Sequence, residues 1–493
     1  MSFLSRRMRQ RFLPLLFLAV ATCAILTTLL WPKPAQAIEA KPYEELIFPE
    51  LGNIQIPDFE RYELDNGLVV YLMEDHDLPL VGGSATFRTG SYLTSAEQTG
   101  LAGITGEAMR LGGTFDHPPN ELNEMLEQRA ASVETSIGDT SGSASFSSLS
   151  EDLEEVFGLF ADVIMQPAFE EEQVALIKGR TAGGIARRND SPDDIARREF
   201  NKLVYGDQSP YARTVEYATL DNISRNDIVD FYKQTLTPEN AILGISGDFD
   251  PAEMKALIAS TLGTWDCHET MDIGAPPQGE QQTAGMFAVN QPQLTQSSIH
   301  IGHIGGQLND EYYAPMTVLN EVLNGFGGRL FNKIRSQQGL AYSVYAFWSA
   351  RYDHNGIFIG GGQTRSEATV PFIESMYQEI EKVRQEPITE EELAFAKDSV
   401  LNSFVFNFQT PTQTLSRLIR YEYFGYPSDF VFQYRDNVEN ATTEQVLEAA
   451  QANLVPDKLV TIVVGNTDEI NPTLDSLGAQ VTPIDVTIPP PAA

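Results

Sequence analysis

Cysteine is almost absent from this sequence, which contains two in 493 residues. Cys23 lies in an N-terminal uncharged run from Phe12 to Trp31, so only Cys267 belongs to the rest of the chain. One cysteine excludes an intramolecular disulfide there. There is also no Gly-x-Ser-x-Gly motif, and Cys267 lacks a recognisable context of base and orienter, so a serine or cysteine nucleophile is not indicated.

Positive charge is scarce as well, with 33 Lys and Arg against 68 Asp and Glu. Residues 1–37 contain four arginines, Lys33 and no acid, so 33 − 5 = 28 basic and 68 acidic residues remain, a net charge of −40. Such a surface repels phosphates, which argues against binding nucleic acid or an anionic membrane surface. It favours cationic peptides, although solubility alone explains it equally well.

The N-terminus has the pattern of a secretory signal. Four arginines precede the uncharged run, and Ala35-Gln36-Ala37 supplies a small-x-small cleavage site, so residues 1–37 are predicted to be removed after Ala37. An uncleaved membrane anchor is the alternative, because the run is long for a signal. Either way, the protein is predicted to be exported, to the periplasm or another extracytoplasmic compartment.

The remaining chain reads as two copies of one α+β domain. Strand and helix patterns alternate, and an Asp-Asn-Gly turn at residues 65–67 separates the first two strands. The segment 238–247 aligns with 456–465, and 167–172 aligns with 387–392. The predicted parts are an N-terminal arm (38–57), a first domain (58–266), a linker (267–284), a second domain (285–482) and a Pro-rich tail (483–493).

The most informative stretch runs from Gly328 to Tyr345. Apolar residues at helical spacing lead to Arg335, a Gln338-Gly339 turn follows, and a strand then presents Tyr342. The spacing predicts that a guanidinium and a phenol lie near one another, and both can donate hydrogen bonds to a peptide carbonyl or its oxyanion. Taken singly, each residue also fits an ordinary surface or strand position.

This stretch closely resembles the arginine/tyrosine motif of the pitrilysin/insulinase-like (M16) zinc peptidases. Further markers, in the family's order, are Leu64-Asp65-Asn66-Gly67, Phe87-Arg88-Thr89-Gly90-Ser91, Gly100-Leu101-Ala102 and Gly206-Asp207-Gln208-Ser209-Pro210-Tyr211. The resemblance covers 58–482 and implies two similar domains closed like a clamshell around a peptide chamber. It implies that Arg335 and Tyr342 bind the substrate.

The same resemblance implies a zinc site whose residues this sequence lacks. Active members carry His-x-x-Glu-His directly after Gly-Leu-Ala, where two histidines bind zinc and the glutamate is the general base. This chain has Gly103 and Glu107 at the histidine positions and Gly106 at the base position. A one-residue shift does not restore the motif, since no histidine lies between 76 and 117. Gly183 and Gly184 stand where the resemblance implies a downstream glutamate ligand.

The other histidines do not suggest a replacement site. His300 and His303 lie in a predicted strand, where residues three apart point to opposite faces. His268 beside Cys267, and His354 in a polar turn, are predicted to be surface residues. The chain is therefore expected to bind no metal.

The resemblance thus implies a non-catalytic subunit of a two-chain peptidase. Its partner would be a zinc-motif-bearing M16 subunit that holds the zinc, and the substrate an extended peptide. The alternative is a stand-alone pseudopeptidase that binds peptides or acts as a scaffold in the cell envelope. An active zinc peptidase on its own is disfavoured, because the expected imidazole ligands are absent.

Overall fold

Two six-stranded sheets organise the part of the chain that the structure describes. The computed structural model describes residues 56–266 and 273–491, and their contacts assign all of them to one unit, Ile54–Ala493. The predicted α+β class is confirmed. The predicted signal (1–37), nearly all of the arm (38–57), and Cys267 and His268 of the linker lie outside the described residues.

The first sheet and its helices occupy residues 60–260. In chain order they are β1 (Glu60–Glu63), β2 (Val69–Glu74), β3 (Leu80–Phe87), α1 (Leu101–Leu111), α2 (Pro119–Gln128), β4 (Ser132–Ile137), β5 (Gly142–Leu149), α3 (Leu153–Met165), α4 (Glu171–Arg187), α5 (Pro192–Tyr205), α6 (Tyr217–Asp221), α7 (Arg225–Thr235), β6 (Ala241–Gly247) and α8 (Pro251–Ser260). We call this the first half.

The second half spans residues 285–483. Its elements are β7 (Gly285–Asn290), β8 (Gln296–Ile304), α9 (Tyr313–Asn324), a π-helix (Phe331–Gln337), β9 (Ala341–Ser349), β10 (Ile357–Arg365), α10 (Thr369–Gln385), α11 (Glu390–Phe404), α12 (Pro411–Phe424), α13 (Phe430–Glu439), α14 (Thr443–Asn453), β11 (Val460–Gly465) and β12 (Val481–Pro483).

The two sheets share one order in five of their six strands, and they differ in the sixth, which is β1 in the first sheet and β12 in the second. The first is β1-β2-β6-β3-β5-β4 and the second is β12-β7-β11-β8-β10-β9. In each, the late strand (β6 or β11) inserts between the first two long strands, parallel to one and antiparallel to the other. This is the duplication that the aligned segments 238–247 and 456–465 predict. Both inserted strands are buried over almost their whole length, as central strands covered on two faces are.

Local sequence explains why the elements start where they do. The predicted Asp-Asn-Gly turn joins β1 to β2, and Gly67 there has φ 85°, a backbone conformation that glycine adopts without steric cost. The aligned segment 387–392 starts α11 with a capping box. The Thr389 hydroxyl accepts from the Glu392 N–H (3.2 Å), while the Glu392 carboxylate accepts from the Thr389 N–H (2.9 Å).

Each half covers part of its sheet with a helix from the other half. Helix α5 packs Ile195 and Phe200 against Ile462 of β11, in the second sheet. Helix α12 packs Leu415 and Ile419 against β6 in the first sheet. The close approach requires Gly244 in β6, because an added Cβ would overlap the Ile419 side chain. The exchanged helices therefore join the two halves through apolar contacts.

The C-terminal segment also crosses between the halves. After β12 pairs with β7, Ile484 and Val486 join the apolar cluster around α5, and Ile488 packs against the first half's core. Among the described residues, we find no helix with the length and apolarity needed to cross a bilayer.

Candidate substrate-binding site and degenerate metal site

Arg335 and Tyr342 lie together on the second half, as the sequence predicts. Arg335 is in the π-helix, and its guanidinium carbon lies 4.9 Å from the centre of the Tyr342 ring and 4.8 Å from that of Phe331. Both distances are in the range of cation–π contacts. Between the π-helix and β9, Gly339 has φ 62°, which permits the tight predicted turn.

A β-bulge displays Tyr342. In the pairing of β9 with β10, Ser343 opposes Gln363 and Ala341 opposes Thr364, so Tyr342 is the extra residue between them. Bulges of this kind redirect a side chain and are frequent next to functional sites. Tyr342 is 82% exposed. Within the described residues, neither its hydroxyl nor the Arg335 guanidinium makes a hydrogen bond, so both donors are free for a ligand.

The π-helix that carries Arg335 is held by charged and apolar contacts. Arg329, just before it, makes a bidentate ion pair with Glu392 (2.6 and 2.7 Å), and Lys333 pairs with Glu379 (2.5 Å). The Arg329 guanidinium lowers the pKa of Glu392 to about 2. Ile334 is fully buried. A π-helix is a rare conformation, often found at functional sites, and these contacts fix it here.

The predicted metal-site positions lie on two helices of the first half that touch one another. Helix α1 carries Gly103 and Glu107, and helix α4 carries Gly184. An ion pair joins Glu107 to Arg180, one helical turn before Gly184. Arg180 was not identified from the sequence. One signal could have indicated it, namely its position four residues before Gly184, on the same face of the helix. The two helices are thus linked by an ion pair at the position where the family resemblance implies ligands.

Three of these glycines face open space. An ideal Cβ added at Gly103, Gly183 or Gly184 meets no atom within 4 Å. Side chains at these positions could therefore extend away from the protein without moving their neighbours. These positions have room for ligand side chains, but glycine supplies no ligand atoms.

Gly106 is different, because it packs against strand β4. An ideal Cβ there would overlap the backbone of Ile137 and lie 2.8 Å from the carbonyl carbon of Ser136. The Thr135 hydroxyl also donates to the Gly106 carbonyl (2.6 Å). No glutamate side chain fits at position 106 unless α1 moves away from β4.

A one-residue shift of the motif puts Glu107, which is partly exposed, at the base position. It also moves the two histidine positions to Ile104 and Ala108, both of which are buried. In neither alignment do the residues present fit a zinc ion, since no imidazole faces the open side of α1.

His300 and His303 make structural contacts. As predicted, His300 and His303 face opposite ways: His300 lies 3.4 Å from Asp193 of α5, whereas His303 accepts the Val455 N–H (3.0 Å). Burial lowers the pKa of His303. Across residues 56–266 and 273–491 there is no group of three or more His, Cys, Asp or Glu that could hold a metal ion.

The prediction for His354 is wrong. Its ring stacks on Tyr211 of the first half at 3.9 Å, and only 11% of its side chain is exposed. The contact joins the two halves, so the residue is part of their interface. The polar residues around it in sequence gave no sign of a partner far away in the chain.

Comparisons with known proteins concern the family and the fold. Residues 73–216 match a family model described as insulinase (peptidase family M16), and residues 222–400 match one described as peptidase M16 inactive domain. The zinc protease YmxG of Bacillus subtilis is 22% identical over 362 residues, covering 73% of this chain and 86% of that protein.

Two solved structures show the same fold. The peptidase M16 inactive domain from Pseudomonas fluorescens superposes with a TM-score of 0.75 and 22% identity, covering 83% of this chain and 98% of that one. The periplasmic protease PqqL from Escherichia coli gives a TM-score of 0.68 and 16% identity, covering 85% of this chain and 48% of that one. At these identities the likeness concerns the fold alone.

Proposed function

Because this chain belongs to the M16 peptidase family, we propose that it is the non-catalytic, substrate-binding subunit of a heterodimeric zinc metallopeptidase acting on extended peptides. One observation carries the proposal. Arg335 and Tyr342 stand together, exposed and without hydrogen-bond partners among the described residues, while the first half lacks zinc ligands. A chain that needed neither substrate nor catalysis would have no chemical use for the pair.

The proposed role of the pair follows from its donors. The Arg335 guanidinium has five N–H donors and the Tyr342 hydroxyl one, and both can point at a peptide carbonyl beside the bond to be cut. Donors fixed in advance stabilise the charge that develops on that oxygen in the transition state. The partner, a zinc-motif-bearing M16 subunit, supplies zinc, the attacking water and the general base.

We also propose an extracytoplasmic location, periplasmic or equivalent. The observations that support it are the secretory pattern of residues 1–37, as cleaved signal or retained anchor, and the likeness to a periplasmic protease. The chain spans about half the length of that protease, so the likeness shows a shared fold and no shared substrate is inferred from it.

Replacing Arg335 tests the role directly. In the reconstituted two-chain complex, Arg335→Ala should lower kcat/KM by about 10²-fold, the usual effect of removing one oxyanion donor. Arg365→Ala is the matched control, because this arginine is also exposed on the second sheet but pairs with Glu367. Assembly, followed by gel filtration, should be unchanged in both variants. Full activity of the Arg335→Ala complex would remove the assigned role.

A stand-alone pseudopeptidase is the competing function. The observation in its favour is the Glu107–Arg180 ion pair, which joins α1 to α4 without a metal. A neighbouring open reading frame encoding His-x-x-Glu-His supports the heterodimer, and its absence supports the pseudopeptidase.

A further inference from the structure

Two side-chain amides close part of the outer edge of strand β9. Asn324 of α9 donates to the Ala346 carbonyl (2.6 Å) and accepts from the Ala346 N–H (2.8 Å). Asn320, one turn earlier, makes the same two bonds with Trp348 (3.1 and 2.8 Å). Each amide offers one donor and one acceptor, as a residue of an adjacent strand does. The asparagines therefore take the place of a seventh strand beside Ala346 and Trp348.

Val344, the next residue along this edge, has no such partner. Backbone groups of alternate residues face the same edge, so its N–H and C=O point the same way as those of Ala346. Strand β9 is the last in its sheet, and no hydrogen bond from the described residues reaches those two groups. Unpaired edge groups of this kind are where an added strand pairs.

The open position lies next to the Arg335–Tyr342 pair. Val344 and Tyr342 are two residues apart in β9, about 7 Å along a strand. The bulge at Tyr342 displays that side chain beside the open backbone groups. The unpaired backbone groups of Val344 therefore lie beside the two free side-chain donors, Arg335 and Tyr342.

The corresponding edge of the first sheet is partly covered by helix α1. Strand β4 is the last strand there, and the buried Arg110 of α1 donates to the Val133 carbonyl on its outer edge (2.9 Å). Gly106 packs directly against the backbone of Ile137 further along β4. Of these two outer strands, β9 is the one whose open backbone position lies beside the Arg335–Tyr342 pair.

From these contacts we infer that Asn320 and Asn324 set the register in which an extended peptide binds, an inference that rests on the proposed function. A peptide strand that pairs with Val344 cannot continue past it, because the groups of Ala346 and Trp348 are already bonded. The peptide residue that pairs with Val344 is therefore fixed, and the peptide carbonyl about two residues away faces Arg335 and Tyr342. Asn320 and Asn324 are positioning residues, since they hold the strand and not the peptide.

A backbone N-methyl scan tests the register. The probe is a fluorescein-labelled, proline-free, unstructured 15-residue peptide, together with versions that each carry one N-methyl group, and affinity for the mature chain is read by fluorescence anisotropy. For the wild type, methylation at one position should weaken binding about fivefold, the net effect of one hydrogen bond. For Asn320→Ala/Asn324→Ala, additional sensitive positions should appear two and four residues away, because the edge beside Ala346 and Trp348 is opened.

Val344→Pro keeps the test valid if the double variant fails to fold. Proline is tolerated on an edge strand where the N–H faces outward, and it removes the donor, so the probe should bind about fivefold more weakly. Val344→Thr, which retains the N–H, is the control. Unchanged affinity of Val344→Pro, or an identical N-methyl profile for the double variant, overturns the inference. If Arg335→Ala still lowers peptide binding in that case, the proposed function stands. If the wild type binds no probe, alone or with its partner, both fall.

Discussion

The two halves share one topology but differ at the corresponding corner, where the first long helix meets the last strand of the sheet. In the first half, α1 packs against β4 through Gly106, and its open face carries Gly103 and Glu107. In the second half, α9 supports β9 with two asparagines, and the π-helix beyond it presents Arg335 to Tyr342. The second half therefore presents free hydrogen-bond donors at this corner, whereas the first half presents only open space there.

The ion pairs at the two corners also differ, because the pair in the second half is more buried than the pair in the first half. Arg180 and Glu107 are 52% and 43% exposed, whereas Arg329 and Glu392 are 14% and 29% exposed and bonded in a bidentate arrangement. Exposed pairs contribute little to stability, while loss of one partner from a partly buried pair leaves a charge uncompensated. We therefore expect the contacts that hold Arg335 to matter more than those at the degenerate site.

The largest expected effect comes from substitutions that return zinc-binding side chains to the first half. Gly103→His/Glu107→His/Gly184→Glu places two imidazoles one turn apart on α1 and a carboxylate on α4, the face that Arg180 now shares. Zinc affinity, measured by calorimetry, should rise by about 10³-fold or more over wild type. The matched control carries Gly183→Glu instead of Gly184→Glu, which points about 100° away around the helix. A triple variant that binds zinc no better than wild type contradicts the placement of these positions.

Alanine at two glycines of α1 should have opposite effects. Gly106→Ala should lower the free energy of unfolding by about 1–3 kcal/mol, because the added methyl group overlaps the β4 backbone. Gly103→Ala should raise it by up to about 1 kcal/mol, because the new Cβ enters open space and alanine favours a helix. Urea unfolding followed by circular dichroism measures both. Equal effects of the two substitutions would mean that α1 does not lie against β4 as described.

The smallest expected difference concerns the two ion pairs. The pKa of Glu392, at about 2 in the folded protein, is below its ordinary value, so its stabilising effect is present above about pH 4.5 and is lost as pH falls toward 2. Glu392→Gln should cost about 1–2 kcal/mol at pH 7, with the difference from wild type vanishing by about pH 2. Glutamine also serves in the capping box, so the loss reports on Arg329.

The exposed pair provides the control for that experiment. Glu107→Gln should cost less than about 1 kcal/mol, and salt should reduce the effect further, because both side chains are solvated. Thermal unfolding at several values of pH and salt concentration separates the two variants. A larger cost for Glu107→Gln than for Glu392→Gln would reverse the comparison.

Local signals in the sequence predicted the elements well. The Asp-Asn-Gly turn, the alternating strands and the repeated segments that contain β6 and β11 each depend on neighbours in the chain, and the structure confirms them. The exchange of α5 and α12 between the halves was not predictable. An amphipathic pattern shows that a helix buries one face but not which sheet it covers.

The candidate site was predictable only in part. Spacing brought Arg335 near Tyr342, but the π-helix depends on Glu392 and the bulge on the pairing with β10, which are both distant in sequence. Asn320 and Asn324 carry no motif, and their role depends on which residues of β9 face outward. His354 was misjudged for the same reason, because Tyr211 lies more than 140 residues earlier in the chain.

The most direct measurement is a peptidase assay with zinc analysis on this protein, alone and mixed with the proposed zinc-motif-bearing partner. Our account predicts that the protein alone neither holds zinc nor cuts an unstructured peptide, and that both properties are present in the mixture. Stoichiometric zinc and peptide cleavage by this chain alone would contradict the account of Gly103, Gly106 and Glu107. If the mixture holds zinc but cuts nothing, the pseudopeptidase becomes the better description.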